Sequence, residues 1–176
     1  MTDGLPLSHN YNLARLGNAG DTVTFTADAD QRAAIARWSG VVSVEALETK
    51  VDIRKLLPTR FGLTFHLTAD VTQSCVVTLE PVKSHLEHKF DRELHFIGGS
   101  IRHKTTESGP ELVLDAGLEE GPEEIQSLHY DLAVPVLEEY TLSLEPYPRA
   151  SGVEFGVKTD PEERPQSPFA VLKGLK

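Results

Sequence analysis

The clearest alternation of apolar and polar positions runs through Phe61-Gly62-Leu63-Thr64-Phe65-His66-Leu67-Thr68-Ala69, where every second side chain is apolar. A period of two places Phe61, Leu63, Phe65, Leu67 and Ala69 on one face of a half-buried strand. The pattern is expected to continue into Cys75-Val76-Val77-Thr78-Leu79. Val23-Thr24-Phe25-Thr26 and Val42 to Ile53 predict further strands, the second interrupted by polar positions. Asp28 or Asp30 can cap a helix through Gln31–Trp38 with Ala34, Ile35 and Trp38 as its buried stripe, and Gly40 is placed to stop it. Leu56 to Thr59 reads as a turn.

Beyond residue 80 the signals shorten. Ser84-His85-Leu86-Glu87 has the form of a capping box and predicts a short helix to about Phe90. Glu93 to Ile97, Gly98-Gly99 and Ser100 to His103 predict a hairpin. Leu112–Leu114 and Ile125–His129 predict short strands. Leu132, Val136, Leu137, Tyr140 and Leu144 recur at helical spacing, so a helix is expected over about 132–145 with Asp131 as its cap. Pro135 is tolerated only if it falls in the first turn. These elements, joined by short polar connections, predict an α+β domain with a mainly antiparallel sheet that could curl toward a barrel and two or three helices. The domain is expected over 1–150, followed by a linker over 151–167 rich in Gly, Pro and charge, and an apolar tail over 168–176 that docks on its own domain or a partner. In that tail Phe169, Leu172 and Leu175 recur at i, i+3 and i+6.

Composition narrows the classes. The 176 residues are 39% hydrophobic, enough for one core. No apolar run is long enough for a membrane helix and the first residues lack the form of a signal peptide, so a cytoplasmic protein without membrane contact is expected. One cysteine, Cys75, excludes an internal disulfide. The net charge of −10 disfavours DNA or non-specific nucleic-acid binding. It is uneven, however: residues 105–165 carry 15 acids and 3 bases, whereas 81–104 carry 5 bases and 3 acids. The acidic part suits a basic partner such as a ribosomal protein. The basic part holds Lys83, Lys89, Arg92, Arg102 and Lys104 among aromatic rings and is a candidate RNA contact. Interleaved Glu87, Asp91 and Glu93 favour an ordinary mixed surface instead.

No nucleophile elbow, phosphate loop or dinucleotide fingerprint is present, and neither a catalytic residue nor a cofactor is assigned. His85 and His88, with Glu87 between them and His95 and His103 downstream, could share a metal on one helical face. That would serve a hydrolase, but the fourth ligand is missing and a solvated face explains the same residues. Cys75 would need a lowered pKa to serve as nucleophile or redox sensor, and its sequence neighbours supply neither cation nor helix N-terminus. A small buried hydrophobe is the expectation.

Three segments together resemble the YceD family, the large ribosomal RNA subunit accumulation proteins of bacteria and plastids. They are Cys75-Val76-Val77-Thr78-Leu79-Glu80-Pro81-Val82, the stretch from Asp131-Leu132 through Leu142-Ser143-Leu144-Glu145-Pro146-Tyr147-Pro148-Arg149, and Pro168-Phe169-Ala170-Val171-Leu172-Lys173-Gly174-Leu175-Lys176. Thr78 stands where many members have a second cysteine, so no cysteine pair is implied. The resemblance implies a non-enzymatic factor for 23S rRNA synthesis, processing or stability and for large-subunit assembly. Its partner would be a ribosomal protein, an assembly factor or a 23S rRNA precursor. Asp131, Leu137, Glu138, Pro168, Phe169, Leu172 and Lys176 are the candidate partner contacts.

Overall fold

The computed structural model describes residues 4–98 and 121–153. A five-stranded sheet, in the order β2-β3-β4-β5-β6, is formed by β2 (Asp21–Thr26), β3 (Ser43–Leu57), β4 (Arg60–Ser74), β5 (Pro81–Phe96) and β6 (Glu123–Ile125). All neighbours are antiparallel except β5 and β6. A second, two-stranded sheet pairs β1 (Asn10–Asn12) with β7 (His129–Asp131), and two helices, α1 (Ala29–Ser39) and α2 (Ala133–Ser143), complete an α+β fold. The sheet is open, not closed into a barrel, among the described residues. None of their helices is long and apolar enough to cross a membrane.

The period-two segment is the middle of this sheet. Phe61, Leu63, Phe65, Leu67, Ala69 and Val71 of β4 are all buried, flanked by Leu47, Val51 and Ile53 of β3 and Leu94 of β5. Ile35 and Ala36 of α1, with Leu132, Ala133, Val136, Leu137 and Tyr140 of α2, join the same apolar cluster. Phe65 and Phe90 lie opposite in the β4–β5 register and stack at 4.7 Å. The other face is polar, laced by cross-strand bonds such as Thr64 Oγ1 to Asp91 (2.6 Å) and Thr22 Oγ1 to Asp52 (2.6 Å).

The first helix starts as its cap residues require. Asp28 accepts the Gln31 N–H, the Gln31 side chain accepts the Asp28 N–H, and Gly40 ends the helix at φ 72. Its buried residues are Ile35 and Ala36, while Trp38, expected in the buried stripe, is 46% exposed. The helix turns one residue away from the expected stripe because Ile35 sits at its centre. In α2 Pro135 is the third helical residue, where its missing N–H is one that no helix could bond.

Three sequence expectations are corrected, the first being the strand over Ile125–His129, which is instead the end of β6 and the start of β7 with 126–128 between them. Residues 84–90 are strand, not helix. Cross-strand pairing along all of β4 outweighs the local capping signal, and Ser84 and Glu87 fall on opposite faces. Cys75–Leu79 is a turn, not strand. The polar interruption in β3 is a bulge between Val44 and Ala46, which moves the buried parity from Val44 to Leu47, Thr49 and Val51. The second arm of the expected 93–103 hairpin and the 112–114 strand lie outside the described residues.

Thr49 projects into the core fully buried, and its hydroxyl has no hydrogen-bond partner among the described residues. Thr49→Val, which keeps the shape and removes the unpaired oxygen, is expected to stabilise the fold by about 1 kcal/mol. Urea unfolding checks this as a higher midpoint at unchanged slope.

Candidate functional site

Two of the three resembling segments meet at one end of the sheet. The β4–β5 connection is closed on itself by Cys75 N–H to Glu80 O (2.8 Å) and Leu79 N–H to Cys75 O (2.9 Å). The chain following α2 is then stitched to it. Val76 N–H donates to Pro148 O (2.9 Å), Ala150 N–H to Cys75 Sγ (3.4 Å), and the Gln73 side chain to Glu145 O (2.9 Å). Val42 N–H donates to Thr72 O (2.9 Å), bringing the α1–β3 connection to the same end.

This end is apolar and exposed. Leu79 is 78% exposed, Leu142 77% and Tyr147 70%, with Val42, Val76 and Val77 also open to solvent. Pro148 beneath them is buried. Leu79 has φ 61, the only left-handed non-glycine residue among those described. A leucine held left-handed costs about 1 kcal/mol or more, and its side chain recovers none of that by burial here.

Cys75 is fully buried, as the sequence suggested, but its environment is not that of a plain hydrophobe. The Thr78 side chain and the Ala150, Thr78 and Val77 N–H groups point at the sulfur and draw its pKa down to about 6, against the opposing effect of burial. The donors come from a turn and from a segment 75 residues away, so no neighbouring residue in sequence announces them.

Toward the opposite end of β5, between β5, β6 and the start of α2, lies a cleft of about 640 Å³ lined by Asp91, Arg92, Glu93, Glu123, Tyr130 and Glu138, with Val134 and Pro135 as an apolar wall. Arg92 faces Glu138 at 3.6 Å and Tyr130 donates to Glu123 at 3.0 Å. Burial and the nearby Glu123 hold the Tyr130 hydroxyl well above its ordinary pKa. His88 and Glu139 (2.9 Å) add a second link between β5 and α2.

The candidate residues are thereby sorted. Glu138 is exposed at the cleft rim, but Leu137 is 1% exposed in the core, because the apolar stripe of α2 is spent on its own sheet. Leu137 therefore cannot present an apolar anchor to a partner. Asp131 is also engaged internally: it accepts Ser8 Oγ–H (2.7 Å), His9 N–H (2.7 Å) and Ala133 N–H (3.0 Å). Lys83 and Lys89 point to the outer face of the sheet and Arg92 to the inner one. On that outer face Lys50, Arg54, Lys83 and Lys89 alternate with Asp52, Asp70, Glu87, Asp91 and Glu93, without Phe, Tyr or Trp. His85 and His88 lie on opposite faces of a strand, His85 against Asp70 at 2.7 Å, which separates the two imidazoles of the expected metal pair. Among the described residues there is no group of three or more ligands suited to a metal. Arg102, Lys104, Pro168, Phe169, Leu172 and Lys176 lie outside the described residues. Sequence reasoning missed Leu79 and Tyr147. A tyrosine between two prolines was a readable signal, whereas a left-handed leucine was not.

Two tests follow. Burial opposes ionisation of Asp131, but its three hydrogen bonds outweigh it and hold the carboxyl below the usual range. Its stabilisation is thus fully present above the ordinary carboxylate pKa and is lost as pH falls through the folded one. Asp131→Ala is expected to cost about 2–3 kcal/mol at neutral pH, and its stability curve should be flatter than wild type below pH of about 4; denaturant titrations across acid pH check both. Thr78→Val is expected to move the Cys75 pKa from about 6 back toward the ordinary thiol value, read from thiolate ultraviolet absorbance against pH.

Comparison of the chain with protein-family models, with curated proteins and with solved structures gives no match in any of the three.

Proposed function

We propose that this protein is a cytoplasmic ribosome-biogenesis factor that supports 23S rRNA synthesis, processing or stability and large-subunit assembly by binding a ribosomal or assembly partner, without catalysis. The observation that carries this reading is the meeting of two segments far apart in sequence. Cys75–Val82 and Asp131–Arg149, which carry the YceD resemblance, adjoin through Val76 to Pro148 and Ala150 to Cys75. Their joint surface exposes Val76, Val77, Leu79, Leu142 and Tyr147, the kind of apolar patch that marks a protein contact. At the other end of α2 a cleft with Asp91, Glu93, Glu123 and Glu138 around one arginine adds a separate, mainly acidic site that favours a basic partner long enough to span both. The apolar patch supplies affinity and the acidic site supplies orientation and encounter rate.

The mixed outer face around Lys83 and Lys89, and the separation of Arg92 onto the inner face, make direct RNA contact through these residues the weaker reading. Sedimentation of the tagged protein through a sucrose gradient tests the proposal. Co-migration with large-subunit precursors is expected, and Leu79→Asp is expected to reduce the bound fraction by about tenfold, as loss of one central apolar anchor commonly does. Migration at the top of the gradient at both low and moderate salt would overturn it. Loss of co-migration in Lys83→Ala/Lys89→Ala instead, with Leu79→Asp unaffected, would transfer the function to RNA contact.

A further inference from the structure

The apolar end carries a second inference about the same surface in the free protein, where the chain's own terminal stretch competes with any partner for it. Six of the ten exposed large apolar side chains among the described residues, Val42, Val76, Val77, Leu79, Leu142 and Tyr147, belong to segments joined at this end, and the two most exposed, Leu79 and Leu142, are among them. The backbone holds Leu79 outward in a conformation that costs energy, which is reasonable only if its side chain is covered by something. The described chain also finishes here. Ala150 bonds Cys75, Val153 N–H folds back onto Ala150 O (3.2 Å), and the next residue is the first of the 23 that follow. Those residues end in the apolar sequence Pro168–Lys176, separated from Val153 by 14 residues.

We infer that this surface is the docking site of the chain's own terminal stretch, with Phe169 and Leu172 covering Leu79 and Tyr147. Reach is no obstacle, since 14 residues span up to about 48 Å. A tether of this length gives the stretch an effective concentration on the order of millimolar, so even a weak intramolecular contact is populated. A contact with a dissociation constant of about 0.1 mM would protect the loop roughly tenfold. The terminal stretch carries two lysines and no acid, and Glu80, Glu139 and Glu145 stand around the surface it would cover.

Cys75 reports the outcome, because its buried sulfur reacts only when the Cys75–Glu80 loop opens. The rate of modification of the full chain by a disulfide reagent is compared with a variant lacking 168–176 and with Phe169→Asp/Leu172→Asp, after correction for thiolate fraction. Both are expected to react about ten times faster, with unchanged far-ultraviolet dichroism, and a synthetic peptide of residues 168–176 should slow the shortened chain again. Should the shortened chain fail to fold, the point variants decide. In a Leu79→Asp background the Phe169→Asp/Leu172→Asp effect should disappear, as coupled residues require. Equal rates in full-length and variant chains, or an undiminished effect in the Leu79→Asp background, would overturn the proposal. So would protection that grows with protein concentration, since the occupant would then be a second copy.

Discussion

The buried face of β4 is what the rest of the molecule is arranged around. Six consecutive alternate positions from Phe61 to Val71 are buried, and β4 has a long partner on each side. Each of these other than Ala69 contributes roughly 1.5–3 kcal/mol by leaving water. No other strand could do this work alone. β3 breaks its alternation at the bulge, and β5 brings His88 and Arg92 to the same face as Phe90 and Leu94. These two polar side chains are tolerated because Glu139 and Glu138 of α2 meet them, so the helix satisfies the sheet's polar groups as well as covering its apolar ones. Both pairs are partly exposed, and pairs of that kind contribute about 0–1 kcal/mol each. They fix where α2 lies more than how tightly it is held.

The strong periodic signals were legible in the sequence. The β4 face, the Asp28 cap, the Gly40 stop and the α2 stripe all follow from local pattern, and so does the antiparallel α+β class. What failed was wherever a long-range partner overrode a local signal. Ser84-His85-Leu86-Glu87 is a sound capping box in isolation, but fifteen paired positions along β4 decide its conformation. With that change the histidine spacing lost its meaning, since three residues apart is one face of a helix and two faces of a strand. Trp38 was expected inside as the last member of a stripe with Ala34 and Ile35, but the buried pair is Ile35 and Ala36, a phase that turns Trp38 out.

The candidate site was legible only in part for the same reason. Its contacting residues lie more than seventy positions apart, and nothing in either half predicts that Pro148 receives the Val76 N–H. The resemblance named the segments but not their contact. Cys75 illustrates the point in miniature: its local sequence is that of an ordinary buried thiol, while its charge state is set by Thr78 across a turn and Ala150 across the fold. Leu137 shows the reverse, a residue in a resembling segment whose side chain is consumed by the core.

The pairing of β1 with β7 has a consequence for how the chain is made. Asn10 to Asn12 meet their partners only at His129 to Asp131, and His9 and Ser8 bond Asp131 across 122 and 123 residues. The three long strands between are joined hairpin to hairpin and can assemble as they emerge, because short connections close at little entropic cost. The first residues cannot. At a synthesis rate of about 5–20 residues per second, Leu7, Leu13 and Leu16 remain without their final neighbours for roughly ten seconds. The contact of β1 with β7 is therefore closed only at the stage at which α2 also emerges to cover the sheet, so both ends of the core are sealed together and late.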